Sequence, residues 1–210
     1  MAAKKWQRYA GYLDRGDWHT HTKYTDGRNT VTEMCRQAER NGLELIAFTE
    51  HVRKSLTYDF GRLVKDVEAA RKRFKLKILV GCETKVLDKD GNLDVSPETL
   101  KRCDIVLATF HSFPHSHKRE LESALASMLG NPEVDIWTHP ITFFQKCPLC
   151  EKDVHKIISL CKKNSVLIEN NVRPRYRSPR LIDACRKMGA KIATGSDAHG
   201  VEDLLILNRN

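Results

Sequence analysis

A chain of 210 residues with 40% hydrophobic and 30% charged side chains is long enough to bury a substantial core, and its balance is that of a globular protein folded in water. No apolar run reaches bilayer length, and the opening MAAKKWQRYAGYLDRGD lacks the apolar stretch of a secretory signal, so a cytoplasmic protein with no membrane partner is expected. The net charge of +9 points to anionic partners, either phosphorylated metabolites or nucleic acid.

Residues 1–15 read as an N-terminal extension, and 16–210 as a single domain. Within that domain short β-branched runs alternate with amphipathic stretches. Strands are expected at 16–21, 44–51, 77–83, 104–111, 134–140, 165–171 and 190–199, and helices at 30–42, 60–74, 96–103, 118–131, 152–164 and 178–189. Leu63, Val67 and Ala70 recur at helical spacing, as do Val154, Ile157, Ile158 and Cys161. Thr30 and Ser178-Pro179 stand where helices start, and Asn41-Gly42, Gly130-Asn131 and Gly189 where they stop. Asp90-Gly91, inside 87–98, reads as the turn of a small hairpin. Regular strand–helix alternation implies a parallel sheet covered by helices, either open and doubly wound or closed into a barrel. No glycine-rich phosphate loop follows the first strand, which argues against a dinucleotide-binding open sheet.

The seven cysteines are an odd number, and Cys82, Cys103, Cys161 and Cys185 lie in apolar segments. Reduced, buried thiols fit that pattern better than a disulfide framework. Cys147 and Cys150 form a CPLC pair with His155 and Cys161 downstream, but a second CxxC at zinc-finger spacing is missing, so an incidental loop pair is the plainer reading.

The strand ends carry the chemistry. His19 and His21 are two residues apart, which on an extended chain aims both imidazoles at one face, and Asp26 follows in a TDG turn. Later strands end in His51, Glu83, His111, His139 and the pair Asp197 and His199. In a parallel barrel all C-terminal strand ends open on one face, where active sites sit. A lone histidine there is ordinarily a hydrogen-bonding group, Asp26 alone a turn residue and Asp197 alone a helix cap. Six of nine histidines in the same topological position are better explained by a multinuclear metal site.

The donors are nitrogen and oxygen only, which suits zinc, manganese or iron. Several divalent ions against the carboxylates of Glu83, Asp26 and Asp197 would leave a positive pocket that attracts a phosphoryl dianion and acidifies a bound water. Arg173, Arg175, Arg177 and Arg180 follow the sixth strand and Arg53 follows His51. Of these, Arg173, Arg175 and Arg53 are the expected substrate-binding residues, because a guanidinium matches phosphate geometry. His115 and His117 read as a solvated loop near the entrance.

The motifs HTHTKYTDG, FTEH, GCETK, TFHS, THP and TGSDAH stand in the order found in the polymerase and histidinol phosphatase (PHP) family, and the resemblance runs from Asp17 to His199. It implies a distorted (β/α)7 barrel related to the TIM fold, with two or three divalent metals. By the same resemblance His19 and His21 would hold one ion with Asp197 and a bridging Glu83. Glu83 and His111 would hold a second, and Asp26, His51, His139 and His199 a third. Glu83, Asp197 and His199 would be catalytic. The departure is TEH, with Glu50 where the family more often has aspartate. The implied activity is hydrolysis of a small phosphomonoester, histidinol-phosphatase-like, by metal-activated hydroxide. Residues 81–112 also resemble PHP domains attached to family X DNA polymerases, which keeps an exonuclease acting on oligonucleotides as the alternative. A non-catalytic metal-bound module is a third reading.

Overall fold

The computed structural model describes residues 3–113, 117–147 and 151–207. Its strands are β1 (Gly16–Thr20), β2 (Leu45–His51), β3 (Lys77–Lys85), β4 (Ile105–Thr109), β5 (Ile136–Trp137), β6 (Leu167–Asn171) and β7 (Ile192–Gly195). They form one parallel sheet in sequence order. The sheet nearly closes on itself. Thr20 bridges Ala198 in parallel, Asp197 N donates to His19 O at 2.8 Å, and His21 N donates to Ala198 O at 2.8 Å. The result is a seven-stranded β/α barrel.

The helices are α1 (Val31–Arg40), α2 (Phe60–Arg73), α3 (Pro97–Arg102), α4 (Lys118–Gly130), α5 (Pro140–Lys146), α6 (Glu151–Lys163) and α7 (Pro179–Lys187). Local chemistry sets their starts: Thr30 and Glu33 form a reciprocal capping box on α1, and Asp59 accepts from Arg62 N at 3.1 Å on α2. α1 buries Val31, Met34, Cys35 and Ala38, one stripe at helical period, against the outer face of the sheet. Val86 bridges Leu93 antiparallel around Gly91, whose φ of 73° is the glycine-favouring conformation of the expected hairpin turn.

One element was not expected. Residues 134–140 read as strand, yet β5 is only two residues long and α5 begins at Pro140. Proline's fixed φ and missing N–H suit the first helical position, so the chain turns immediately after His139, itself left-handed at φ 49°.

Two cores lie on either side of the sheet. The outer one joins sheet and helices; the inner one fills the barrel with Trp18, Leu45, Ala47, Leu79, Ile105, Leu107, Ile136, Leu167 and Ala193. Trp6 belongs to the inner core. It sits on a 3-10 helix (Lys5–Tyr12), where its indole N–H donates to Ser165 O at 2.7 Å and its backbone N–H to Asp135 at 3.1 Å. Lys4 Nζ donates to Asn131 O and Val134 O, both at 2.7 Å. Part of the expected N-terminal extension is thus packed into the barrel floor. The apolar floor leaves the C-terminal strand ends as the polar end of the barrel interior.

Candidate metal centre

Side-chain parity delivers the polar residues to that end. On β2 the inward Leu45 and Ala47 are continued by Thr49 and His51, and on β3 Leu79 is continued by Gly81 and Glu83. β1 departs from simple alternation. Asp17 pairs with Ile46 but Thr20 with Phe48, so β1 spends three residues where β2 spends two. That bulge lets Trp18 join the inner core while His19 reaches the site. The left-handed backbone at His139 and Asp197 (φ 53°) does the same at β5 and after β7.

Glu83 is the centre of the cluster. Its Oε2 lies 2.9 Å from His51 Nδ1, 3.8 Å from His19 Nε2 and 3.9 Å from His21 Nε2, and its Oε1 3.2 Å from His139 Nε2. Asp197 Oδ1 lies 3.4 Å from His21 Nε2 and 3.7 Å from His19 Nε2. Asp26 Oδ2 lies 3.3 Å from His51 Nε2 and 3.2 Å from His199 Nε2 at the more exposed rim. The donors of His19, His21 and Glu83, of Glu83, His111 and His139, of His19, His139 and Asp197, and of His21, His51 and His199 each converge within 4.8 Å. All nine residues singled out in the sequence therefore meet. The grouping differs from the expected one at His139, whose imidazole is set beside Glu83 and His111 rather than with His51 and His199.

The site's own chemistry fits divalent cations. His21 Nδ1 and His111 Nε2 are buried with no hydrogen-bond partner, an arrangement costly for an imidazole but apt for a ligand. Burial, with neighbouring imidazoles, pushes His21 and His111 down to about 4, so both are neutral at pH 7, the ligating form. Burial opposes a proton on His51, but Asp26 and Glu83 outweigh it and raise its pKa to about 9. Glu83 and Asp197 are buried, yet the surrounding histidines hold both well below the usual carboxylate range.

Two carboxylates outside the expected set organise this cluster. Glu169 on β6 is buried; it lies 2.6 Å from His19 Nδ1 and accepts from His139 N at 2.6 Å and Thr138 Oγ1 at 2.7 Å. It orients one imidazole and pins the backbone of another. Gly195 makes room for the pair, since a Cβ there would lie 2.6 Å from His19 Cβ and 3.0 Å from Glu169 Oε1. Glu50 accepts from Thr22 N at 2.8 Å and from the hydroxyls of Thr22 and Thr25 at 2.6 and 2.5 Å, tying down the segment between His21 and Asp26. Burial raises its pKa to about 7.

The arginines separate. Arg173 Nη2 lies 2.9 Å from His199 Nδ1 and Nη1 3.6 Å from Asp197 Oδ2, so it borders the cluster. Arg175 stacks on Tyr176, and Arg53 turns to Asp94 at 3.7 Å. Tyr176, also unforeseen, lies with its ring 4.2 Å from that of His139. His155 is exposed on α6 beside Glu151, and His117 precedes α4 at the surface with no side-chain cap bond. His115 and Cys150 lie outside the described residues; the six described cysteines are free and buried.

Barrel, histidine-rich rim and convergent acids define a metal-dependent hydrolase of TIM-like fold. A model of the PHP domain matches residues 17–177. A probable phosphatase of Acetivibrio thermocellus is 32% identical over 197 residues, covering 87% of this chain and 78% of its own. The crystal structure of a putative histidinol phosphatase from Listeria monocytogenes superposes with TM-score 0.69 at 17% identity, over 93% of this chain and 98% of that one. The histidinol phosphate phosphatase of Lactococcus lactis, solved with zinc, L-histidinol and phosphate, superposes with TM-score 0.66 at 19% identity, over 89% and 87%. The chain belongs to the PHP family and is a phosphatase-type hydrolase.

Proposed function

We propose that this protein hydrolyses the phosphomonoester of a small metabolite with two or three divalent ions, zinc, manganese or iron, at the barrel rim. The single observation that carries this reading is Glu83, one buried carboxylate faced by imidazoles from β1, β2 and the end of β5. His19, His21, Glu83, His111, His139 and Asp197 would hold the inner ions, and His51, His199 and Asp26 the outer one. Bound there, such ions would supply an activated water and neutralise charge on the phosphoryl oxygens.

The chain's own residues do the rest. Glu83 and Asp197 keep the donor groups at fixed spacing, so the site is organised before substrate arrives. Arg173 offers the phosphoryl group a guanidinium beside Asp197. His199, its Nδ1 2.8 Å from Asp197 O and its Nε2 3.2 Å from Asp26 Oδ2, would be fixed in place as a holder of the outer ion rather than as a proton donor. Phosphate release from p-nitrophenyl phosphate, with His19→Ala as control, tests the proposal. Metal-loaded protein should release phosphate and the variant should not; cleavage of a labelled oligonucleotide with no monoester hydrolysis would favour the exonuclease reading instead.

A further inference from the structure

Within the proposed phosphatase reading, we infer that the substrate's alcohol carries a second anionic group, phosphate or carboxylate, bound by Arg175. The segment after β6 is a built ledge. Asn171 Oδ1 accepts from Arg173 N at 2.9 Å, Pro174 starts a 3-10 turn, and Tyr176 N donates to Arg173 O at 2.9 Å. The ledge puts Tyr176 against the cluster, its ring 4.2 Å from the His139 ring and 5.9 Å from that of His111. The Arg175 guanidinium carbon lies 4.5 Å from the centre of the same tyrosine ring. Arg175 is thus one aromatic ring away from a candidate metal ligand, about the reach of a short phosphorylated alcohol bound by its phosphoryl end.

Charge pairing around the rim decides the sign of the ligand. Asp26 faces His51 and His199, Asp203 faces Arg28 and Arg173, and Glu202 pairs with Arg28. Asp197 lies against His19, His21 and Arg173. The acidic groups near the entrance therefore already face arginines or candidate metal ligands. Arg175 faces none of them: among the described residues its only partner is the tyrosine face, which leaves its donors free to meet an anion. A substrate whose alcohol bears an ammonium group would meet like charge there, and a neutral alcohol would leave the guanidinium unused.

The test is steady-state kinetics on the metal-loaded full chain with four phosphomonoesters: 3-phosphoglycerate, a nucleoside 3′,5′-bisphosphate, glycerol phosphate and histidinol phosphate. The inference expects at least one of the first two to exceed both others in kcat/KM by about ten- to a hundredfold, the span of one charge-assisted contact. The two anionic arms distinguish a carboxylate from a phosphate. Arg175→Ala should shrink that advantage mainly through KM, and Arg175→Lys should restore part of it. Histidinol phosphate or glycerol phosphate as the preferred substrate would overturn the inference while leaving the phosphatase reading intact. So would an Arg175→Ala variant that lowers kcat/KM equally for all four. Hydrolysis of none of them, nor of p-nitrophenyl phosphate, would overturn both.

Discussion

Replacing Glu169 by glutamine should weaken metal binding although Glu169 belongs to none of the convergent donor groups. Its Oε1 takes the Nδ1 side of His19, while its Oε2 accepts from His139 N and Thr138 Oγ1. Glutamine has one acceptor oxygen and one amino group to serve these positions. If the amino group faces His19, it makes Nδ1 an acceptor, so a neutral ring carries its proton on Nε2, the atom beside His21, Glu83 and Asp197. If it faces the other way, the His139 N–H and Thr138 hydroxyl lose their acceptor in the buried interior. Either arrangement forfeits at least one charge-assisted hydrogen bond, about 1.5–3 kcal/mol. Passed to the ligands, that is about a 10- to 100-fold loss of metal affinity. Zinc competition against a chromophoric chelator reads it directly, and nitrogen NMR of His19 reports whether the tautomer has changed. Wild-type affinity in Glu169→Gln, with His19 still protonated at Nδ1, would refute the reasoning.

Three further substitutions probe the scaffold. Gly195→Ala should cost about 1–3 kcal/mol and lower metal stoichiometry, because its Cβ lands on His19 and Glu169; a thermal melt and elemental analysis check both effects, and an unchanged midpoint would show that the site has slack. Trp6→Ala should cost about 3–5 kcal/mol by urea unfolding, since the indole fills the barrel floor; a loss under 1 kcal/mol would mean that the N-terminal helix only rests on the barrel. Burial raises the Asp135 pKa to about 6, so the folded state holds this proton more tightly than the unfolded chain does. Its stabilising contribution is fully present below about pH 4 and is lost as pH rises through about 6. Asp135→Asn leaves the backbone N–H groups of Trp6 and Val106 with poorer acceptors, and its penalty should shrink between pH 4 and pH 7 in urea titrations; a penalty that grows over that interval would contradict the assignment.

The barrel is readable because several strand runs are bounded by cap and turn residues that the structure uses, Thr30 and Gly91 among them, although Ser178 precedes α7 without capping it. Convergence of the site followed from topology alone, since strand ends in a parallel barrel share a face. What stayed hidden depends on backbone detail. The β1 bulge and the left-handed turns at His139 and Asp197 break strict alternation, and they decide which imidazole stands beside which acid; His139 changed group for that reason. Glu169 escaped notice because IENN reads as a polar strand end. Its parity with the inward Leu167 is the signal that marks it as interior. α5 was missed because THP continues a β-rich run, and only the backbone turn at His139 makes Pro140 a helix start.

Elemental analysis of protein purified without chelator, paired with phosphate release before and after metal stripping, bears most directly on the central claim. Two or three equivalents of zinc, manganese or iron per chain, with activity lost on removal and recovered on reloading, is the predicted result. Fewer than one equivalent under saturating divalent salt, or full activity in stripped protein, would contradict it.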